Sequence, residues 1–106
     1  MFALNETATL HTFLGQRGGK PAWAEGGTDF LCRSEPAWKQ RFSGSAIERA
    51  ADTRFFAENV EAHPGDRIVL NGRYYRIAEV QPMRGWRGIH HLEILAKGEG
   101  PCRKDG

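Results

Sequence analysis

The residues that could do chemistry in this sequence are four histidines, a turn aspartate and two groups of basic residues around tryptophans. His90 and His91 are adjacent. On a strand, neighbouring residues point to opposite faces, so their imidazoles do not chelate one ion. No Cys-x-x-Cys or His-x-x-x-His spacing supports them, and His11 and His63 lie far away in the chain. Asp66 follows Gly65 and reads as a turn residue. Neither Gly44-Ser45-Ala46 nor any other serine or cysteine sits in a Gly-x-Ser-x-Gly setting. Gly15, Gly18 and Gly19 precede Lys20 but lack the Gly-Lys-Ser/Thr ending of a phosphate loop. These patterns predict a non-enzymatic protein with no metal and no cofactor. The basic groups say more. Arg84 and Arg87 flank Trp86, and Arg17 and Lys20 precede Trp23. Arginine beside an exposed aromatic can hold a single nucleic-acid strand by stacking and phosphate contact, and it is also a protein–protein anchor. A net charge of only +2 favours the protein contact.

The elements that would position these residues are short and β-like. Residues 6–14 mix β-branched and apolar residues, with Leu10, Thr12 and Leu14 on one face and Thr9, His11 and Phe13 on the other, which predicts a strand. Residues 15–27 contain five glycines, Pro21 and Trp23, and read as an extended, mobile loop. Residues 28–34 form a second strand. Pro36 marks a bend or bulge, and 37–42 continue as an irregular edge strand. Within 44–58, Ser45 followed by Glu48 is a capping-box pattern that suits a helix, whereas Phe55-Phe56 suits a strand, so helix and strand–loop–strand both stand.

The last third is plainer. His63-Pro64-Gly65-Asp66 is a turn, because proline presets φ, glycine accepts positive φ and aspartate hydrogen-bonds nearby backbone. Arg67–Leu70 is a short strand. Asn71-Gly72 is a strong hairpin signal, since a type I′ turn needs positive φ at both central residues. A strand over 73–80, a loop over 82–88 and a strand over 89–96 complete three consecutive antiparallel strands. Residues 97–106 read as a flexible tail.

At 106 residues the chain suits one domain, here 1–96, with a mobile loop at about 15–27. Thirteen glycines punctuate many turns, which favours a mainly β fold over a helical one. Fifteen Lys and Arg are interspersed with thirteen acids, as on a solvated surface. Cys32 lies in an apolar stretch and reads as a buried hydrophobe, while Cys102 sits in a polar stretch and reads as a free thiol. Residues 1–6 lack the basic start and apolar run of a signal peptide, and no stretch approaches a membrane span, so a soluble, intracellular protein is expected.

The run from Phe56 through Gly65-Asp66, Asn71-Gly72 and Tyr74-Tyr75-Arg76-Ile77 to Val80-Gln81-Pro82, with His90-His91-Leu92-Glu93-Ile94 after it, resembles the head–tail joining proteins of long-tailed phages. These are the head-completion proteins of lambda-like phages and the stoppers of related siphophages. The likeness covers residues 56–96. It implies a small β-barrel or sandwich with a long mobile loop and ends that order on assembly. It also implies a strand, a flexible loop and another strand at 44–58. The implied role is a virion neck subunit made in the host bacterial cytoplasm. Its implied partners are the portal or adaptor ring, tail proteins and further copies in a ring. A loop at 43–54, carrying Ser45, Glu48 and Arg49, would face packaged DNA in the channel. Another tail or minor capsid component, or a single-stranded nucleic-acid-binding barrel using Arg84, Trp86 and Arg87, are the competing expectations.

Overall fold

The structure is a computed structural model. It describes the backbone of residues 4–43, 46–58, 60–84 and 90–101, and their side chains outside 38–50, 83–84, 90 and 101. The described residues are all β. The strands are β1 (Glu6–His11), β2 (Phe13–Arg17), β3 (Lys20–Trp23), β4 (Thr28–Ser43), β5 (Ala46–Ala57), β6 (Arg67–Leu70), β7 (Arg73–Arg84) and β8 (His90–Pro101). Six of them close an antiparallel barrel in the order β1-β4-β5-β8-β7-β6, and β2-β3 form a separate hairpin.

Period-two alternation builds the interior. Ala8 and Leu10 of β1, Phe30 and Cys32 of β4, Phe55 and Ala57 of β5, Ile68 and Leu70 of β6, Ile77 of β7, and Ile94 and Ala96 of β8 form one buried cluster. Phe55 meets Tyr75 edge-on, ring centroids 5.2 Å apart. Along β7 the alternation holds only as far as Ile77. A bulge between Ile77 and Glu79 then shifts the phase, so both Ile77 and Val80 reach the core. Leu95 is buried on the other face of β8, against Ala37 and Ala51.

Closure runs through the first strand. β1 pairs with β4 through Glu6↔Cys32 to Leu10↔Thr28, and with β6 through Thr9↔Val69 to His11↔Arg67. At the start of β4 the backbone passes so close to β1 that a Cβ on Gly27 would lie 2.4 Å from Thr9 Cγ2, which explains glycine there.

The turn chemistry read from the sequence is realised. Asp66 N donates to His63 O at 3.0 Å, and Gly65 at the third turn position has φ +96°. That is a type II turn with proline in its favoured second position. Asn71 and Gly72 have φ +52° and +74°, as a type I′ hairpin needs.

Five expectations are corrected. Residues 15–27 are not one long loop, because β2 and β3 pair across Arg17↔Lys20 with Gly18-Gly19 at the tip. The expected single strand 6–14 is therefore two, broken at Thr12, whose carbonyl accepts Ala24 N at 2.8 Å. Residues 46–57 are one strand, neither helix nor strand–loop–strand, since β4 offers a full set of backbone partners that overrides the capping pattern. Ser45 lies outside the described residues; Glu48 and Arg49 sit on β5 opposite Arg41 and Gln40, with side chains also outside that set. The tail expected from residue 97 is strand through Pro101, paired with β7 from Arg73 to Arg76. The loop expected at 82–88 begins later, since β7 runs to Arg84; 85–89, with Trp86 and Arg87, lie outside the described residues.

Beyond Pro36 the β4 register slips twice against β5, as an edge strand carrying proline should. Among the described residues, β4 beyond Pro36 and β5 before Thr53 pair only with each other and leave the barrel as a two-stranded ribbon. Where β5 departs from β8, the Asp52 carboxylate takes over the freed Gly98 N–H at 3.0 and 3.2 Å.

Candidate functional site

The β2-β3 hairpin lies against the outer face of β6 and β7, and the residues between them form the most developed surface feature. The anchoring starts at Asp66, which is 3 % exposed. Its Oδ1 accepts the Phe13 N–H at 2.8 Å and its Oδ2 accepts the His63 N–H at 3.0 Å. One buried carboxylate thus ties the first residue of the hairpin to a turn far along the chain. The hairpin's other strand is tied to the same turn, because Trp23 Nε1 donates to Gly65 O at 2.9 Å. Phe13 packs on Trp23 with centroids 5.8 Å apart. His11 Nδ1 donates to Ala24 O at 2.9 Å, closing the base of the hairpin.

Under the hairpin, cations and aromatic rings interleave. The Arg67 guanidinium lies 3.5 Å from the Trp23 ring centroid and 4.2 Å from that of Tyr74, and Arg76 lies 5.0 Å from Trp23. Arg67 and Arg76 stand directly opposite each other across β6 and β7, and Arg76 stands opposite Lys97 across β7 and β8. Directly opposed like charges destabilise a sheet. Glu99 relieves part of that repulsion, with one oxygen 3.6 Å from Arg67 Nη2 and the other 3.1 Å from Arg76 Nη2. The Nε atoms of both arginines are buried with no acceptor among the described residues. The open cleft between hairpin and barrel measures about 660 Å³ and is lined in part by His11, Lys20, Trp23, Arg67, Tyr74 and Arg76.

Of the residues singled out in the sequence, the structure brings Lys20 and Trp23 to this cleft and places Arg17 opposite Lys20 at the hairpin tip. Trp23 is no free stacking platform. Its N–H is committed to Gly65, and Arg67 and Phe13 pack against its ring. Ser45, Trp86 and Arg87 fall outside the described residues, as do the side chains of Glu48, Arg49 and Arg84. Gly65, Asp66, Asn71 and Gly72 are turn residues as read, but Asp66 is also the buried link to the hairpin. His91 has Nδ1 3.2 Å from Glu58 Oε1 on the outer surface.

Sequence reasoning passed over Arg67, Arg76, Lys97 and Glu99. A signal for the first two was present. A two-residue Asn71-Gly72 turn pairs Leu70 with Arg73, and counting outward puts Arg67 opposite Arg76. Lys97 and Glu99 carried no such signal, because bulges in the β7–β8 ladder set their positions.

Elsewhere on the described surface, several charged groups have partners of their own. Arg54 reaches Glu93 at 2.9 Å and Glu35 at 3.3 Å. Glu6 Oε1 accepts both the N–H and the hydroxyl of Ser34 at 2.8 Å. Cys32 is a fully buried free thiol, and burial, with the Glu6 carboxylate adding to it, pushes its pKa up to about 11. No protein-family model and no curated protein matches this chain.

Proposed function

We propose that this chain is a non-enzymatic joining subunit of a long-tailed phage, of the stopper or head-completion type. It docks on the portal or adaptor ring once DNA is packaged and forms the surface to which the tail attaches. The observation that carries the reading is the resemblance over 56–96. In this fold that stretch runs from the end of β5 through the type II turn and the Asn71-Gly72 hairpin to β8 as one continuous antiparallel unit.

The β4–β5 ribbon supports the same reading. A two-stranded arm that leaves a closed barrel has backbone edges available to a neighbour, and strand addition is a common way for small β subunits to join. In the neck this arm, rather than a loop at 43–54, is the part that reaches a neighbouring subunit or the DNA channel.

The test is complementation in the phage or prophage that encodes the chain. Without the gene, DNA-filled heads and free tails accumulate separately, and purified protein added to that lysate joins them. Tailed, infectious particles forming in its absence would overturn the proposal. Replacing residues 40–49 by a tight turn, which spares the barrel pairings from Thr53 onward, separates the arm's role from that of the barrel. Such a variant folds but fails to restore joining.

A further inference from the structure

Among the described residues, four cations gather on one outer face of the barrel and on the hairpin beside it. Arg67, Arg76 and Lys97 form a row across β6, β7 and β8, and Lys20 faces it from the hairpin. Against these four cations stand Glu99 on the strands, Glu25 in the cleft wall and the buried Asp66, whose two oxygens are taken up by backbone N–H groups. Opposed arginines sharing one carboxylate, with both Nε atoms buried and without a hydrogen-bond partner among the described residues, are a cost set against the stacking of Arg67 on Trp23 and Tyr74. Such local conflicts are characteristic of binding sites.

We propose that this cleft is a docking site for an acidic segment of a partner protein. Carboxylates of that segment add to Glu99 as anions bridging Arg67, Arg76 and Lys97. The chemistry selects carboxylates on a peptide over a nucleic-acid strand. Single strands derive much of their affinity from bases stacked on open aromatic faces, and here the Arg67 guanidinium lies against both Trp23 and Tyr74. The two planar guanidinium forks match carboxylate oxygens bidentately. Arg76, with 43 % of its side chain exposed, is the more accessible of the two. A second copy of this chain is a poorer occupant: Glu35 and Glu93 share Arg54 and Glu58 is engaged by His91, while the exposed Asp29 on β4 and Glu61 between β5 and β6 do not form one acidic segment. This inference does not depend on the head–tail reading.

The experiment follows the Trp23 indole N–H by NMR in the full-length chain at low salt, its signal identified from Trp23→Phe. The titrants are a capped oligoglutamate peptide, inorganic phosphate and an oligothymidylate. The peptide produces a saturable shift. Arg76→Gln weakens it about tenfold or more, as loss of a charge-assisted pair should, and both Lys97→Gln and added salt weaken it several-fold. Lys97 is exposed, so its variant keeps the test open should Arg76→Gln fail to fold. The proposal is overturned by absence of a peptide shift, by unchanged affinity in well-folded variants, or by an equal response to phosphate. Tighter binding of oligothymidylate would make a nucleic acid the occupant. A shift that depends on protein concentration alone would make it a second copy.

Discussion

At the scale of single residues, Asp66 and Cys32 show how one buried group is held by its surroundings. The Asp66 carboxylate accepts backbone N–H groups from Phe13 and His63. Asp66→Ala leaves both donors without that acceptor and should destabilise the protein by about 2–3 kcal/mol. Asp66→Asn keeps one carbonyl acceptor and should cost less, and urea unfolding of the two variants measures the difference. Cys32 gives a pH effect of definite sign. Its folded pKa of about 11 lies above the ordinary 9.0, so between these values the unfolded thiol ionises while the folded one does not. The thiol's contribution to stability is therefore complete below pH 9 and is lost as pH rises toward 11. Cys32→Ala should flatten that part of the stability curve relative to the parent chain. In the Cys102→Ser background, a thiol reagent at pH 8 should label Cys32 only after unfolding.

Among the elements, the final strand departs most from a reading of composition. Gly98, Glu99, Gly100 and Pro101 look like tail, yet they pair with β7, Gly98 N–H is held by Asp52, and Glu99 bridges two arginines. A chain ending at Ala96 should lose about 2 kcal/mol or more of stability, where removal of a true tail would change almost nothing. Thermal melting by circular dichroism checks this. The β2-β3 hairpin makes a similar point. Two strands alone are marginal in water, and this pair is secured by Asp66, by the Trp23 bond to Gly65 and by Arg67 stacked on the indole. Its order follows from the turn it sits on.

For the whole molecule, closure decides behaviour. β1 has a neighbour on each side only when β4 and β6 are both in place, and those partners come from different parts of the chain. Folding should therefore be cooperative and slow for the chain length, in milliseconds to seconds, as for other domains dominated by non-local pairing. Unfolding followed by tryptophan fluorescence and by far-ultraviolet circular dichroism should give coincident transitions. An early fluorescence change would mean that the hairpin carrying Trp23 detaches before the barrel opens.

Much of the scaffold was written locally. Pro64-Gly65 and Asn71-Gly72 select their turns by the φ values their residues accept, and the two-residue turn then sets the β6–β7 register. An apolar neighbourhood marked Cys32 for the interior, and alternation set Leu10 on one face of its strand. These are properties of a residue and its immediate neighbours, so the sequence by itself determined them. The tertiary structure alone decided that 46–57 is a strand, that 15–23 is a hairpin, that β8 continues to Pro101 and that Lys97 joins a cationic row. In each case the missing information is the partner. A glycine-rich or alanine-rich stretch has no strong preference of its own, and it becomes a strand when distant backbone supplies the donors and acceptors that water would otherwise provide. The cleft is legible to the same degree. Its arginines could be counted out from a turn, but the hairpin that covers them and the carboxylate they share come from parts of the chain that meet only when the barrel closes.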